Sequence, residues 1–416
     1  MTATDDRAPR VLAKAAAAGR MRGIGLDTWE RARLQPRRAG KVLREGVGEA
    51  RALHSRERRL VQAALYDLIR QERALALVLG DSSPMALWLG WLVGEGLDPA
   101  VAKSHHDAPY EALLDGTLEE RLGAMPADEA LAIRHGLPDA LARRIVRQRG
   151  PDAAAALLRA SDQRAPITVR ANRRKTDRTA LADRLAGEGF ATEPCARATD
   201  GLHVLTRGPL TTQRSYRDGW FEVQDEGSQL LAGLVEPDGE VIDLCAGAGG
   251  KSLAIAAHGV PVTAADVRPG ALKELTRRAR RAGVEVDTIE IRDARLPGRL
   301  RRRRVRRVLV DAPCSGTGVL RRHPEHRWQF SEEMLHERTE LQRRILDRAA
   351  PLVAEGGTLV YGTCSVLAEE NEEIVRSFLS GHPDFERTDR TLDTAPHPDG
   401  TDGFYGVVLR RHRPLA

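Results

Sequence analysis

Apolar positions along this chain follow more than one rhythm. Leu60, Ala64 and Leu68 repeat at helical spacing, as do Val61, Leu65 and Ile69, which predicts a packed helix with a broad apolar face. Pro84 opens a second helix through Met85, Leu87, Trp88 and Trp91. From Ala165 the texture is mixed. Ile167-Thr168-Val169-Arg170 reads as a strand, Arg178 to Glu188 as a helix, and His203-Val204-Leu205-Thr206 as another strand. Further on, short apolar runs alternate with helical stretches. Val241-Ile242 leads through a glycine-rich turn to a helix over Leu253 to His258. Val262-Thr263-Ala264-Ala265 closes on Asp266, and Val286 to Ile291 runs on to Asp293. Val308-Leu309-Val310 and Thr358-Leu359-Val360-Tyr361 follow. Strands alternating with helices predict a doubly wound, Rossmann-like α/β sheet. The expected organisation is a helical domain over 1–150, a small α+β domain over 160–215 and the α/β domain over 216–416.

The chemistry gathers where those strands end. Cys314 lies in Asp311-Ala312-Pro313-Cys314-Ser315-Gly316-Thr317-Gly318 and Cys364 in Thr363-Cys364-Ser365, each just after an apolar strand. Open α/β sheets bind ligands outside the carboxyl ends of their strands, so both thiols are candidates for covalent chemistry. The turn Cys245-Ala246-Gly247-Ala248-Gly249-Gly250-Lys251 lets a ligand approach the backbone closely. It lacks the full spacing of a phosphate-binding loop. Asp243, Asp266 and Asp293 stand at successive strand ends. Acidic residues at the ends of the second and third strands suit a ribose diol and an adenine amine, which points to an adenosine cofactor.

Composition narrows the partners less than the motifs do. Among 416 residues, 65 Lys and Arg face 59 Asp and Glu, a modest basic excess that hints at an anionic partner. Four scattered cysteines show no paired metal spacing; they point to reduced thiols in a cytosol and to no metal site, and Cys195 and Cys245 read as small buried hydrophobes. The start of the chain, with Asp5 and Asp6, has no secretory apolar core, and no stretch reaches membrane-spanning length. The run Arg299, Arg301 to Arg304, Arg306 and Arg307 precedes a strand, at the end away from the two thiols, and reads as a solvated loop.

Taken together, Asp243-Leu244-Cys245-Ala246-Gly247-Ala248-Gly249-Gly250-Lys251, the Asp311 to Gly318 motif and Thr363-Cys364-Ser365 resemble the RNA 5-methylcytosine methyltransferases of the Nol/Nop/Sun type. Val223 to Gln229, Arg322-His323-Pro324-Glu325 with Arg327-Trp328, and Asp402-Gly403-Phe404-Tyr405 extend the likeness over roughly the last 250 residues. Where that family places an Arg one turn into the helix after Asp266, this chain has Ala271, with Arg268 nearer the strand. The resemblance implies a class I methyltransferase domain that takes S-adenosylmethionine, behind an RNA-recognition-like α+β domain and a helical domain. It implies Cys364 as the nucleophile on carbon 6 of a cytosine and Cys314 as the group that assists release. Asp311 would meet the Watson–Crick edge, and Lys251 would sit near cofactor and base. The cofactor would contact Asp243, Cys245, Ala246, Gly247, Ala248, Gly249, Gly250, Lys251, Asp266, Arg268, Asp293 and Asp311.

The expected substrate is ribosomal RNA, with transfer RNA as the alternative, handled by a cytoplasmic monomer that has no membrane partner. An idle RNA-binding assembly factor is the competing class, against which Asp311, Cys314 and Cys364 argue. In the α+β segment the pattern Arg170-Ala171-Asn172 with the basic residues Arg173, Arg174 and Lys175 resembles that family's RNA-recognition-like domain; its Arg and Lys side chains are candidates for phosphate contacts, with a solvated turn as the alternative. Arg322 and Trp328 either seal a loop or pack on the substrate side.

Overall fold

The computed structural model describes residues 8–292, 296–397 and 400–412. Asp293, expected at a strand end, lies outside them. The chain divides into two compact units, Met1–Asp162 with Leu320–Met334, and Gln163–Val319 with Leu335–Ala416.

The first unit is helical. Its longest helix, Ser55–Leu79, begins at a capping box in which the His54 backbone N–H donates to Glu57, and it ends at left-handed Gly80. Val61, Ala64, Leu65, Leu68 and Ile69 form its inner face, as their spacing predicts. Pro84–Gly94 is capped by Ser83 and buried from Ala86 to Val93, on every side rather than on one stripe. Each large side chain buried there contributes about 1.5–3 kcal/mol. Among the described residues no single helix is long and apolar enough to cross a membrane.

The excursion Leu320–Met334 completes this unit. Trp328 meets Trp29 edge-on at 6.1 Å, and its indole N–H donates to Glu72 at 2.8 Å. Fully buried Arg327 donates to the carbonyls of His135 and Leu320 and to Asp162 at 2.5 Å. Of the two readings left open for Trp328, the structure therefore gives it a packing role inside the helical unit. Replacing Arg327 by Ala should cost about 3–5 kcal/mol, because it strands buried acceptors and the Asp162 carboxylate. Urea denaturation checks this; a loss below ~1 kcal/mol would remove Arg327 from the core of this unit.

The second unit holds two sheets among the described residues. The smaller has the order β2-β3-β1-β4, with antiparallel neighbours: β1 (Ile167–Ala171), β2 (Thr192–Pro194), β3 (Gly201–Val204) and β4 (Phe221–Val223). Helix Arg178–Gly187 packs Leu181 and Leu185 onto its core with Val169, Leu202 and Phe221. β3 starts and stops two residues earlier than its apolar run suggests, leaving Leu205 58 % exposed. Asn172 Nδ2 donates to the carbonyls of Gly219 and Ala282, and Lys175 Nζ to those of Asp218 and Arg281. Asn172 and Lys175, the second of them a candidate for phosphate contact, thus fasten the small sheet to helix Pro269–Ala282.

The larger sheet contains β5 (Val241–Leu244), β6 (Val262–Asp266), β7 (Val286–Glu290), β8 (Val305–Asp311), β9 (Val353–Thr363), β10 (Phe385–Asp393) and β11 (Tyr405–Arg411). Its order is β10-β11-β9-β8-β5-β6-β7, parallel except where β11 pairs antiparallel with β9 and β10. Buried on both faces, β5, β8 and β9 carry mainly apolar segments, Val241–Leu244 interrupted by Asp243, Val308–Val310 and Leu359–Tyr361. The connections reverse direction between β5 and β8, so the crevice outside their carboxyl ends is the expected ligand site. The arginine run is more structured than a solvated loop. Arg306 and Arg307 already belong to β8, Arg307 pairs with Asp238 at 3.0 Å, and Arg303 bonds Glu240 and Thr263 at the amino ends of β5 and β6.

Candidate active site

Three loops leaving β5, β8 and β9 build the site. After β5 the backbone turns through positive φ at Cys245 (64°), Gly247 (57°) and Gly249 (83°) before helix Gly250–Ala256 begins, three residues earlier than the apolar pattern suggests. A Cβ on Gly249 would fall 2.4 Å from Leu275 Cγ, so this position needs glycine for space as well as for conformation. Arg278 donates to the Ala248 carbonyl at 2.7 Å, and Glu222 on β4 holds Arg278 at 2.9 Å. Nothing in the sequence pattern marks Arg278 or Glu222 as supports of this loop.

Asp266 ends β6 beside the turn. Its Oδ2 accepts the Gly247 N–H at 2.7 Å, and its Oδ1 accepts the Arg268 N–H at 2.8 Å and the guanidinium Nε at 3.1 Å. Burial pushes its pKa up, but the Arg268 side chain and the two backbone donors outweigh that and hold it below the usual carboxylate value. Asp243 is 1 % exposed. Ser252 donates to its Oδ2 at 2.5 Å, while its Oδ1 is a buried acceptor without a partner among the described residues, just below the turn. Burial raises this carboxyl to about 7, with the Ser252 bond opposing. Burial also pushes the Cys245 thiol far above its ordinary value, and Cys195 up to about 12.

At the end of β8, Asp311 Oδ2 accepts from Lys251 Nζ at 2.6 Å. Burial works against the lysine's charge; Asp311 first, then Cys364 and Asp243, outweigh it, and its pKa lies above the ordinary lysine value. Its ammonium also stands 5.4 Å from the centroid of the Phe404 ring. Cys314 and Cys364 are half-buried free thiols whose sulfurs lie 3.3 Å apart. The hydrogen bond to Cys364 and then burial push Cys314 well above the usual thiol value, so Cys314 keeps its proton more tightly than a free thiol does.

The loops are interlocked. Gly318 N–H donates to the Cys364 carbonyl at 2.9 Å, and Gly403 N–H donates to the Gly318 carbonyl at 2.8 Å. A Cβ on Gly318 would lie 2.2 Å from the Gly403 carbonyl oxygen, so no other residue fits this crossing. Fully buried Glu370 accepts from Ser315 N–H at 2.8 Å, Ser315 Oγ at 2.5 Å and Gln342 at 3.0 Å. Asn371 accepts from Thr363 and donates to the Ser365 carbonyl. Sequence reading missed Glu370, Asn371 and Gln342; the only trace is an Asn within the acidic run Glu369 to Glu373.

Among the described residues two other groups bring three metal-type donors within 4.8 Å of one another: Cys195, His203 and Glu226, and His323, Glu325 and His326. In the first, Glu226 already accepts the Arg197 and Ala198 N–H groups and so braces a turn.

A doubly wound sheet with a glycine-rich turn after its first strand and paired thiols after its fourth and fifth defines a Rossmann-like methyltransferase domain. Residues 231–410 match the family described as 16S rRNA methyltransferase RsmB/F, and residues 137–211 match the ferredoxin-like domain of RsmF/B-like methyltransferases. The likeness to this family rests on those two segments. It is 36 % identical over 266 residues to the probable ribosomal RNA small subunit methyltransferase B of Bacillus subtilis, covering 59 % of each chain. To the ribosomal RNA small subunit methyltransferase B of Pectobacterium carotovorum it is 35 % identical over 267 residues, covering 61 % of each. The chain thus spans about three fifths of the length of the curated relatives it matches. Among solved structures, PH0851 shares the fold with a TM-score of 0.74 at 24 % identity, covering 95 % of this chain and 100 % of that one. NSun6 from Pyrococcus horikoshii with SFG gives 0.59 at 19 % identity, covering 66 % and 98 %.

Proposed function

We propose that this chain transfers a methyl group from S-adenosylmethionine to carbon 5 of a cytosine in RNA, with ribosomal RNA as the substrate, as a cytoplasmic monomer. The carrying observation is the 3.3 Å pair Cys314–Cys364 standing beside the Lys251–Asp311 contact. The turn Cys245 to Gly250 is open to close approach, Asp266 is a charged acceptor at its edge, and Asp243 Oδ1 below it has no hydrogen-bond partner among the described residues. These donors and acceptors suit the adenosine and amino-acid ends of that cofactor. When bound, the cofactor supplies the electrophilic methyl group.

The chain's own residues do the rest. Carbon 5 of cytosine becomes nucleophilic once a thiolate adds to carbon 6, and Cys364 is assigned that addition. Lys251 is the neighbouring cation of that thiol. Asp311 spends Oδ2 on Lys251, while Oδ1 has no protein hydrogen bond among the described residues and is turned over to the base's Watson–Crick edge. After transfer, a base must take the proton from carbon 5 while the Cys364–carbon bond breaks and its electron pair returns to sulfur; Cys314, 3.3 Å from Cys364 and freed of its hydrogen bond once Cys364 is bonded to carbon, is assigned as thiolate to take that proton.

The full chain incubated with unmodified small-subunit ribosomal RNA and S-adenosylmethionine should protect a cytosine from bisulfite conversion. The absence of any protected cytosine, with transfer RNA alone modified, would move the substrate to transfer RNA. For the cofactor, Asp266→Ala should weaken S-adenosylmethionine binding by about 1.5–3 kcal/mol, the worth of hydrogen bonds to a charged group. Calorimetric titration measures it, and an unchanged affinity in a folded variant removes Asp266 from the cofactor site.

A further inference from the structure

On the α+β side of the second unit lies a concavity of about 380 Å³ lined by Arg170, Arg173, Arg197, Asp200, Glu236 and His258. Its charges do not balance locally. Asp200 is paired with Arg173 at 2.5 Å and Glu236 with Arg390 at 2.8 Å, so both lining carboxylates already have cations. Arg170 and Arg197 are left without an ion pair among the described residues. Arg170 is only 4 % exposed, yet the one hydrogen bond its guanidinium makes to a described residue is Nε to Gln224 Oε1 at 2.7 Å. Neither Nη donates to a described residue. Glu222 and Asp200 reach this buried guanidinium only through their charge, and an anion in the cavity would complete its free donors. Its planar fork matches a phosphate bidentately.

We infer that this concavity binds a phosphodiester of the RNA backbone, with Arg170 at its floor and Arg197, Arg173 and His258 at its rim. The assignment rests on the RNA reading above and deepens it. Partial burial, then Arg173 and Arg170, lower the pKa of His258, with Asp200 opposing, and its ring offers an N–H to a phosphate oxygen. Gln224, which grips Arg170, is itself held by a bond to Ser228. Free phosphate carries the same chemistry, and the test separates it from RNA.

The experiment measures binding of the full chain to a small-subunit ribosomal RNA transcript across a potassium chloride series, beside S-adenosylmethionine titration. Arg197→Ala alters an exposed side chain and leaves the backbone N–H that holds Glu226 in place. It should weaken RNA binding about fivefold or more and flatten the log–log salt slope by close to one, the mark of one lost phosphate contact. Arg170→Gln should do the same, and cofactor affinity should stay unchanged in both. Exchanging chloride for inorganic phosphate at matched ionic strength should weaken RNA binding of the wild type more than that of Arg197→Ala. If both variants fold and keep wild-type affinity and slope, the inference falls while the functional reading stands. Phosphate that binds the wild type without competing with RNA overturns the RNA assignment. A wild type without RNA binding sinks the functional reading, and this one with it.

Discussion

Cys364→Ala should abolish methylation, with a fall in kcat on the order of 10⁴–10⁶-fold, the scale seen when a covalent nucleophile is removed. It should also form no covalent adduct with RNA, since no thiolate remains to add to carbon 6. Cys314→Ala should fail differently. Cys364 then loses the partner 3.3 Å away that shares its proton, but keeps Lys251 as a neighbouring charge. Addition and methyl transfer should proceed, release should stall, and a protein–RNA complex that survives denaturing electrophoresis should accumulate. A stable complex with Cys364→Ala and none with Cys314→Ala would reverse the two roles. If neither variant traps RNA and both merely melt earlier, the cysteines are packing residues.

How far this site could be read from sequence depends on whether its residues announce themselves locally. Val308 to Val310 and Thr358 to Tyr361 are legible as strands because burial on both faces demands apolar side chains. The true strands are longer, Val305–Asp311 and Val353–Thr363, because polar residues such as Arg306 and Arg307 occupy the end where the sheet meets solvent. β10, Phe385–Asp393, is illegible: it is an edge strand, and apart from Phe385 and Leu392 its side chains are polar and largely outside the core. The glycine-rich turn and the two thiols stand in compact motifs, so their neighbourhood could be anticipated. Glu370 could not. An acid inside Glu369 to Glu373 looks like a solvated helix face, and only tertiary folding delivers Ser315 and Gln342 to its carboxylate. Trp328 is hidden for the same reason, since its partners Trp29 and Glu72 lie hundreds of residues away in sequence.

The contact between Asp311 and Lys251 carries the other large effect. Asp311→Asn keeps the shape and one acceptor but loses the charge, so it can still meet the exocyclic amine of the base yet cannot stabilise a protonated ring nitrogen. It also releases Lys251, whose Nζ lies 2.6 Å from Oδ2, to face Asp243 and Cys364 without its main counter-charge. Both changes act on activation of the base and of the thiol. The expected result is a fall in kcat of about 10²–10⁴-fold, the usual range for a positioned acid or base, with S-adenosylmethionine affinity changed less than ~3-fold. Lys251→Met should lower kcat comparably by leaving Asp311 without its cation. Single-turnover methylation beside cofactor titration separates the steps. If Asp311→Asn retains kcat within about tenfold while cofactor binding collapses, the Lys251–Asp311 pair serves the cofactor turn and the base is activated by another group.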